Sequence, residues 1–294
     1  MSSFFKHSII LFLIALLYGS CINEQEVKPF KYVPPTPVGG KLKGVVELGS
    51  YGFNSFIIKM DKQGEWELKN AEYGVNTIYD TNDIKSIIRA LRAYINHMES
   101  FGVLDREIHF IVSSGAIKEP KVQRLIRIIR ETGYVVNIAT PEQEAQYVLR
   151  AILPNIFKKN AFAVDIGSGN TKVAWEEGKE IRTLETVGAQ YLQRGISDEE
   201  AVQGVVQLVS HIPQEYRKIC FIIGGVPYEM AKQYRKNKER YTVLRRPVNY
   251  HFGDKRMDSG VNIYKTIRET TGCERFVFDW NGNFAIGFLL SLNY

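Results

Sequence analysis

The sequence predicts an α/β protein of two tandem domains. Strand-like and helix-like segments alternate from Lys43 to the end of the chain, a rhythm that implies layered α/β architecture. The chain has 294 residues, more than the roughly 250 at which a single core stops growing. VVELGSYG and AVDIGSGN share the order apolar, apolar, acid, apolar, Gly, Ser, and their acids, Glu47 and Asp165, stand 118 positions apart. Each stretch opens one half, so residues 43–155 and 156–294 read as a duplication with facing loops.

Before the first domain, residues 1–20 read as a signal peptide. The run IILFLIALLYG is too short for the roughly 20 residues of a membrane span and has the length of a secretory h-region. Cys21 directly follows Gly19 and Ser20. That pattern resembles a bacterial lipoprotein signal with Cys21 as the lipidated residue, which would anchor the chain to a membrane of the bacterial cell envelope. Residues 21–42, rich in Pro and Gly, read as an extended tether.

In the first half, GVVELG (44–49) and FNSFIIKM (53–60) predict a hairpin, with EWELKNAEYGV continuing in extended form. TNDIKSIIRALRAYINHMESFG predicts a helix: Ile84, Ile87, Ile88, Leu91, Tyr94, Ile95 and Met98 form one stripe, Thr81 or Asn82 can cap it, and Gly102 closes it. A strand over 107–114, a helix ending at Gly133 and a strand over 134–139 follow. In the second half AFAVDIG and TKVAWEE form a hairpin, 198–212 a helix, and KICFIIGG a strand. RFVFDW is a late strand before the apolar helix NFAIGFLLSL. The basic, tyrosine-rich KQYRKNKERYTVLRRP reads as a solvated face and surface loop.

The composition is 45% hydrophobic and 24% charged, which excludes a disordered or fibrous chain. A net charge of +6 suits anionic partners without selecting one, and no nucleic acid partner is expected. His97, His109, His211 and His251 show no metal-ligand spacing. Whether Cys220 and Cys273 pair stays open.

The two loops carry the chemistry. A strand that stops at a carboxylate and turns through Gly-Ser can aim backbone N–H groups at an anion, because glycine tolerates the positive φ of such a nest. The adjacent acid would repel a bare phosphate, a conflict removed if Mg²⁺ or its bound water lies between them. Glu47 and Asp165 are the metal-side candidates, and Gly49, Ser50, Gly167, Ser168, Gly169 and Asn170 the phosphate-side ones. The alternative is a pair of ordinary hairpin turns.

Taken in order, GVVELGSYGFNSFII, IVSSGAIKEPKVQRLIRIIRETG, IATPEQEAQYVLRAI, AFAVDIGSGNTKVAW, FIIGGVPYEMA and DWNGNFAIGFLL resemble the exopolyphosphatase/guanosine pentaphosphate phosphatase family. That family belongs to the actin-like superfamily of sugar kinases and heat-shock ATPases. The resemblance spans residues 43–294 and implies two ribonuclease H-like, actin-type domains with a cleft between them. It also implies that Glu144 in PEQEAQ is the base that activates water, and that Gly224 and Gly225 bring backbone close to a phosphate chain. Several positions depart from the family pattern. Tyr51 and Gly52 replace polar residues of the first loop, Gln143 and Gln146 replace Glu and Arg, and Lys172 replaces the acid that ends the second loop and serves the metal site.

The resemblance implies a membrane-tethered phosphohydrolase acting on terminal phosphoanhydrides of polyphosphate or a related compound, with Mg²⁺. The departures, Lys172 above all because it can meet an anion directly, support a second reading: a lipoprotein that binds phosphate chains without hydrolysis. A sugar-kinase-like activity would need ATP outside the cytoplasm and ranks last. Whether the chain forms a homodimer stays open.

Overall fold

The acid-bearing strands that head the two halves lie inside two sheets of the same plan. The computed structural model describes residues 28–49, 53–74 and 83–292. In the first sheet β1 (Lys41–Leu48), β2 (Phe53–Met60) and β3 (Trp66–Tyr73) form an antiparallel meander. On the other side of β1, β4 (Ile108–Val112) and β5 (Val136–Ile138) add in parallel, giving β3-β2-β1-β4-β5. In the second sheet β6 (Ala161–Ile166), β7 (Asn170–Glu177) and β8 (Glu180–Val187) repeat the meander. There β9 (Ile219–Ile223) and, beyond it, a last strand add in parallel. With β10 (Tyr241–Val243) at the edge and β11 (Arg275–Asp279) beside β9, the order is β8-β7-β6-β9-β11-β10. The duplication expected from the two loops is therefore present in the sheet topology.

Side-chain alternation along β1 sends Val46 and Leu48 to the outer face and Val45 to the inner one. The outer residues pack with Ile87, Leu91, Ile95 and Met98 of α1 (Ile84–Ser100) and Val122, Leu125 and Ile129 of α2 (Pro120–Glu131). The cap of α1 is Asp83, whose carboxylate accepts from the Lys85 and Ser86 N–H groups; the expected caps Thr81 and Asn82 lie outside the described residues. Gly102 ends the helix with φ +95°.

On the inner face Val45, Phe56, Ile58 and Ile111 join one continuous core with the second half. That core is built on α3 (Pro141–Ile152), α4 (Asp198–Ser210), α5 (Gly225–Lys232), α6 (Lys255–Thr271) and α7 (Phe284–Ser291). α3, which ends the first half, lies against β6, β7 and β8, whereas α7, which ends the chain, lies against β1 and β2. Each half thus lends a helix to the other's sheet. Segments α5, α6, β8 and β10 are elements the sequence reading did not assign; β10 lies within the stretch expected to be a solvated face and surface loop, where Tyr241 and Thr242 are buried.

The tether expected over 21–42 is only partly a linker. Phe30 packs on Phe157, Phe221 and Tyr241 with ring centroids 5.4–5.6 Å apart, and the Val38 N–H donates to Asp61 Oδ2 at 3.0 Å. Its aromatic residues gain more from burial than an extended chain gains from freedom. A second tie is Arg240, which meets buried Asp279 through two 3.1 Å hydrogen bonds and lies over the Trp66 ring of the first sheet at 4.6 Å. Cys220 and Cys273 are buried free thiols. Among the described residues no helix is long and apolar enough to cross a membrane; Cys21 lies outside them.

The exchanged helices meet at Gly287, where a Cβ would overlap the Tyr147 carbonyl of α3. Alanine is the better helix former by about 1 kcal/mol, yet here it must push two backbones apart. We expect Gly287→Ala to lose about 1–3 kcal/mol net, read as a lower urea midpoint.

Candidate active site

Two strand ends, a helix start and a hairpin bring four charged groups together. Glu47 is the penultimate residue of β1 and Asp165 that of β6. Opposite them across the hairpins stand Asn54 and Lys172, respectively. Glu144 sits in the first turns of α3, which starts there because Thr140 and Gln143 make a capping box behind Pro141. Gln143, where the resemblance has an acid, is thus used in the cap.

Glu144 is not the exposed helix-start residue its position alone would allow. One carboxylate oxygen accepts the Ser114 N–H at the end of β4. The other, Oε2, meets Lys172 Nζ at 2.7 Å, with side chains only 5% and 6% exposed. Lys172 Nζ also donates to Asn170 Oδ1 at 2.9 Å, and Asn170 Nδ2 donates to Glu185 Oε2 at 2.8 Å. Glu47 Oε2 accepts from Asn54 Nδ2 at 3.1 Å and from Asn283 Nδ2 at 3.3 Å. Asn283 is the N-cap of α7, so this contact joins the last helix to the first strand.

The electrostatics follow from burial. Burial pushes the Glu47 carboxyl up; its two asparagine partners pull it down, and the Glu144 and Asp165 charges push it up again. Asp165 is also raised, by burial first, with Lys172 offsetting part of the shift. Burial alone would lower Lys172, but Asp165 and Glu144 outweigh it and hold its ammonium above the usual lysine range. At neutral pH this acidic group therefore holds a fixed cation.

The turn between β6 and β7 differs from the expected nest. Gly167 and Gly169 are absent from the glycines with positive φ. At Gly167 smallness serves close packing instead, since a Cβ would lie 2.9 Å from the Asn170 carbonyl oxygen; at Gly169 the nearest atom to a Cβ, 3.1 Å away, belongs to the exposed Arg194 guanidinium, which can move aside. The Gly167 and Ser168 carbonyls accept from Ala189 and Gln190 at 2.9 Å each, and the Gly169 carbonyl accepts from Arg194 Nη1 at 2.8 Å. In trans peptides this turns the Ser168 and Gly169 N–H groups to the opposite side, at a turn tip where Ser168 is exposed.

Gly224 has φ +118°, and a Cβ there would overlap the Ile166 carbonyl, so both its backbone conformation and its packing against β6 require glycine. Gly225 opens α5 with no atom near a Cβ position. Gly49 is half-buried just after β1. Ser50, with Tyr51 and Gly52, lies outside the described residues.

Three participants were missed by sequence reasoning: Arg194, Asn54 and Asn283. Asn54 and Lys172 share the 118-residue offset of Glu47 and Asp165, so aligning the two hairpins rather than only the two turns would have found Asn54. Asn283 carried a cap signal just before an apolar helix. Arg194 had no such signal.

The donor set does not fit the expected Mg²⁺. Among the described residues no group of three or more His, Cys, Asp or Glu side chains is arranged to hold a metal ion. Both expected ligands instead have a nitrogen-bearing partner across the hairpin, Asn54 bonded to Glu47 and Lys172 in register with Asp165 and acting on it through space. Mg²⁺ requires oxygen acceptors in near-octahedral array, and a lysine has none to offer.

A carboxyl whose folded pKa is raised holds extra protons in the folded state, so stability falls as pH climbs from the ordinary carboxylate range through the raised value. Glu47→Gln keeps an acceptor for Asn54 and Asn283 and removes that loss. We expect the variant to be more stable at neutral pH by about 1 kcal/mol, with the gain vanishing near pH ~4, where the ordinary glutamate range ends. Urea midpoints at the two pH values check this.

A search of curated protein sequences finds no match to the chain. Among solved structures, the Aquifex aeolicus PPX-GPPA enzyme is similar with a TM-score of 0.65 at 17% identity, over 86% of this chain and 99% of that one. An exopolyphosphatase from Cytophaga hutchinsonii gives a TM-score of 0.61 at 14% identity, over 85% and 96%. At such identities the likeness establishes the fold: two actin-like α/β domains, as expected. The profile of the Ppx/GppA phosphatase family matches residues 55–237. The chain belongs to the Ppx/GppA phosphatase family.

Proposed function

We propose that this chain is a membrane-tethered phosphohydrolase that removes the terminal phosphate from inorganic polyphosphate or a related phosphoanhydride. The observation that carries the reading is the oriented Glu144 carboxylate, buried between the two halves beside the Gly167–Asn170 turn. A carboxylate offers about four lone-pair sites. With one each taken by Ser114 and Lys172, Glu144 keeps acceptor capacity for a water. The water oxygen bonds to the terminal phosphorus as the bridging P–O bond breaks. Glu144 takes the water's proton, and the shortened chain leaves with the negative charge on its oxygen.

The Ser168 and Gly169 N–H groups and the exposed Arg194 guanidinium supply the phosphate-side donors in this reading. Arginine suits the role because its planar fork matches phosphate oxygens. Tethering rests on the apolar run that ends at Gly19-Ser20-Cys21, with lipid carried on Cys21.

Phosphate release from polyphosphate by the purified chain tests the reading. We expect Glu144→Gln to lower turnover by about 10²–10⁴-fold; equal release by the variant overturns the role of Glu144. Binding of polyphosphate without any release would make the chain a binding protein. For Arg194→Ala we expect the polyphosphate concentration for half-maximal rate to rise about tenfold, the loss of one charged contact, with kcat little changed.

A further inference from the structure

We propose that Lys172 is a built-in cation that replaces the divalent ion of this cleft, so that the chain handles its phosphate substrate without metal. The inference rests on the phosphohydrolase reading and adds what neutralises the reacting anion. It stands on three observations of geometry.

The first is position. Lys172 is the cross-strand partner of Asp165 and its ammonium lies 2.7 Å from Glu144, so one cation is bonded to Glu144 and acts on Asp165 through space. The second is enclosure. Glu144 and Lys172 are about equally withdrawn from solvent, whereas a bound Mg²⁺ usually keeps several of its waters. The third is chemical direction. Asn54, at the equivalent place in the first hairpin, points a nitrogen at Glu47, and Asn283 adds another there. An asparagine amide can turn its oxygen outward; an ammonium has three donors and no acceptor. Lys172 therefore bars metal ligation at its position in any rotamer.

With one N–H on Glu144 and one on Asn170, the third N–H of Lys172 is available to a phosphoryl oxygen. The ammonium then provides charge beside the scissile bond while fixing the carboxylate that orients water. A single positive charge in a water-poor cleft acts more strongly than it would in bulk solvent.

The test reads metal binding apart from turnover. Mn²⁺ is titrated into the purified chain, and the free ion is followed by its electron paramagnetic resonance signal. We expect no stoichiometric site in the unaltered chain. Lys172→Glu supplies the missing acceptor, and its Mn²⁺ affinity should exceed that of the unaltered chain by about tenfold or more, a gain that adding Asp165→Asn removes. Stoichiometric Mn²⁺ in the unaltered chain that Asp165→Asn weakens overturns the inference, and so does a folded Lys172→Glu variant that gains no site. Should Lys172→Glu not fold, the unaltered chain against Asp165→Asn decides alone. Phosphate release is then measured with excess EDTA. Release that persists supports the inference, and release that requires Mg²⁺ overturns it while leaving the hydrolase reading intact. A chain that releases no phosphate under either condition and binds no Mn²⁺ fails the hydrolase reading alone.

Discussion

The ion pair between Glu144 and Lys172 organises the candidate site. It joins a helix of the first half to a hairpin of the second, with both groups almost wholly withdrawn from water. Removing two charges from solvent costs several kcal/mol per ion, and apolar residues of equal volume would hold α3 on β7 at least as well. Stability therefore does not explain why the pair is charged. The surrounding charge does: Glu47, Glu144 and Asp165 act on one another electrostatically, and Lys172 is the ammonium that meets this acidic group. Ser114 and Asn170 complete the pair's hydrogen bonding, as a buried ion pair requires.

The exchange of helices gives this pair its setting. Because α3 packs on the second sheet and α7 on the first, neither half can separate without exposing the other's inner face. The contact at Gly287 allows the two helices to approach at backbone distance, which keeps the inner ends of β1 and β6 near the same helix starts. Asn283 then reaches Glu47 from α7, and Glu144 reaches Lys172 from α3. The site is thus assembled on strands and helix starts rather than on long loops, the rigid placement that oriented catalytic groups need.

Much of this plan was legible in the sequence because it was repeated. Two acid-apolar-Gly-Ser turns at a fixed offset gave the tandem sheets, and an apolar stripe gave α1. The helix α6 was hidden because its buried face includes Ser259, Gly260, Thr266 and Thr271, which dilute the apolar period that reveals a helix. Glu144 and Lys172 could each be singled out, but their contact depends on how α3 crosses the second sheet, and no local pattern encodes that crossing. The glycines of the second loop misled in a different way. Glycine is equally consistent with positive φ and with lack of room; neither Gly167 nor Gly169 has positive φ, and backbone crowding applies at Gly167.

Net charge illustrates the same difference between count and placement. The basic segment 232–247 reads from composition as a solvated face and surface loop, yet it carries β10 with buried Tyr241, Thr242 and Leu244, and its arginines are largely committed within the fold. Arg235 stacks on Trp280 at 3.8 Å, Arg240 is held by Asp279 and Trp66, and Arg245 lies over Tyr234 at 5.1 Å. A guanidinium spread over an aromatic face and fixed by a carboxylate has little left to offer a phosphate chain. Beside the second loop, by contrast, stand Lys172, enclosed and aimed by its partners, and Arg194, exposed and resting on the Gly169 carbonyl. Any attraction this site exerts on an anion is therefore set by two cations at one turn, Lys172 buried beside Glu144 and Arg194 exposed on the Gly169 carbonyl, rather than by the overall excess of positive charge.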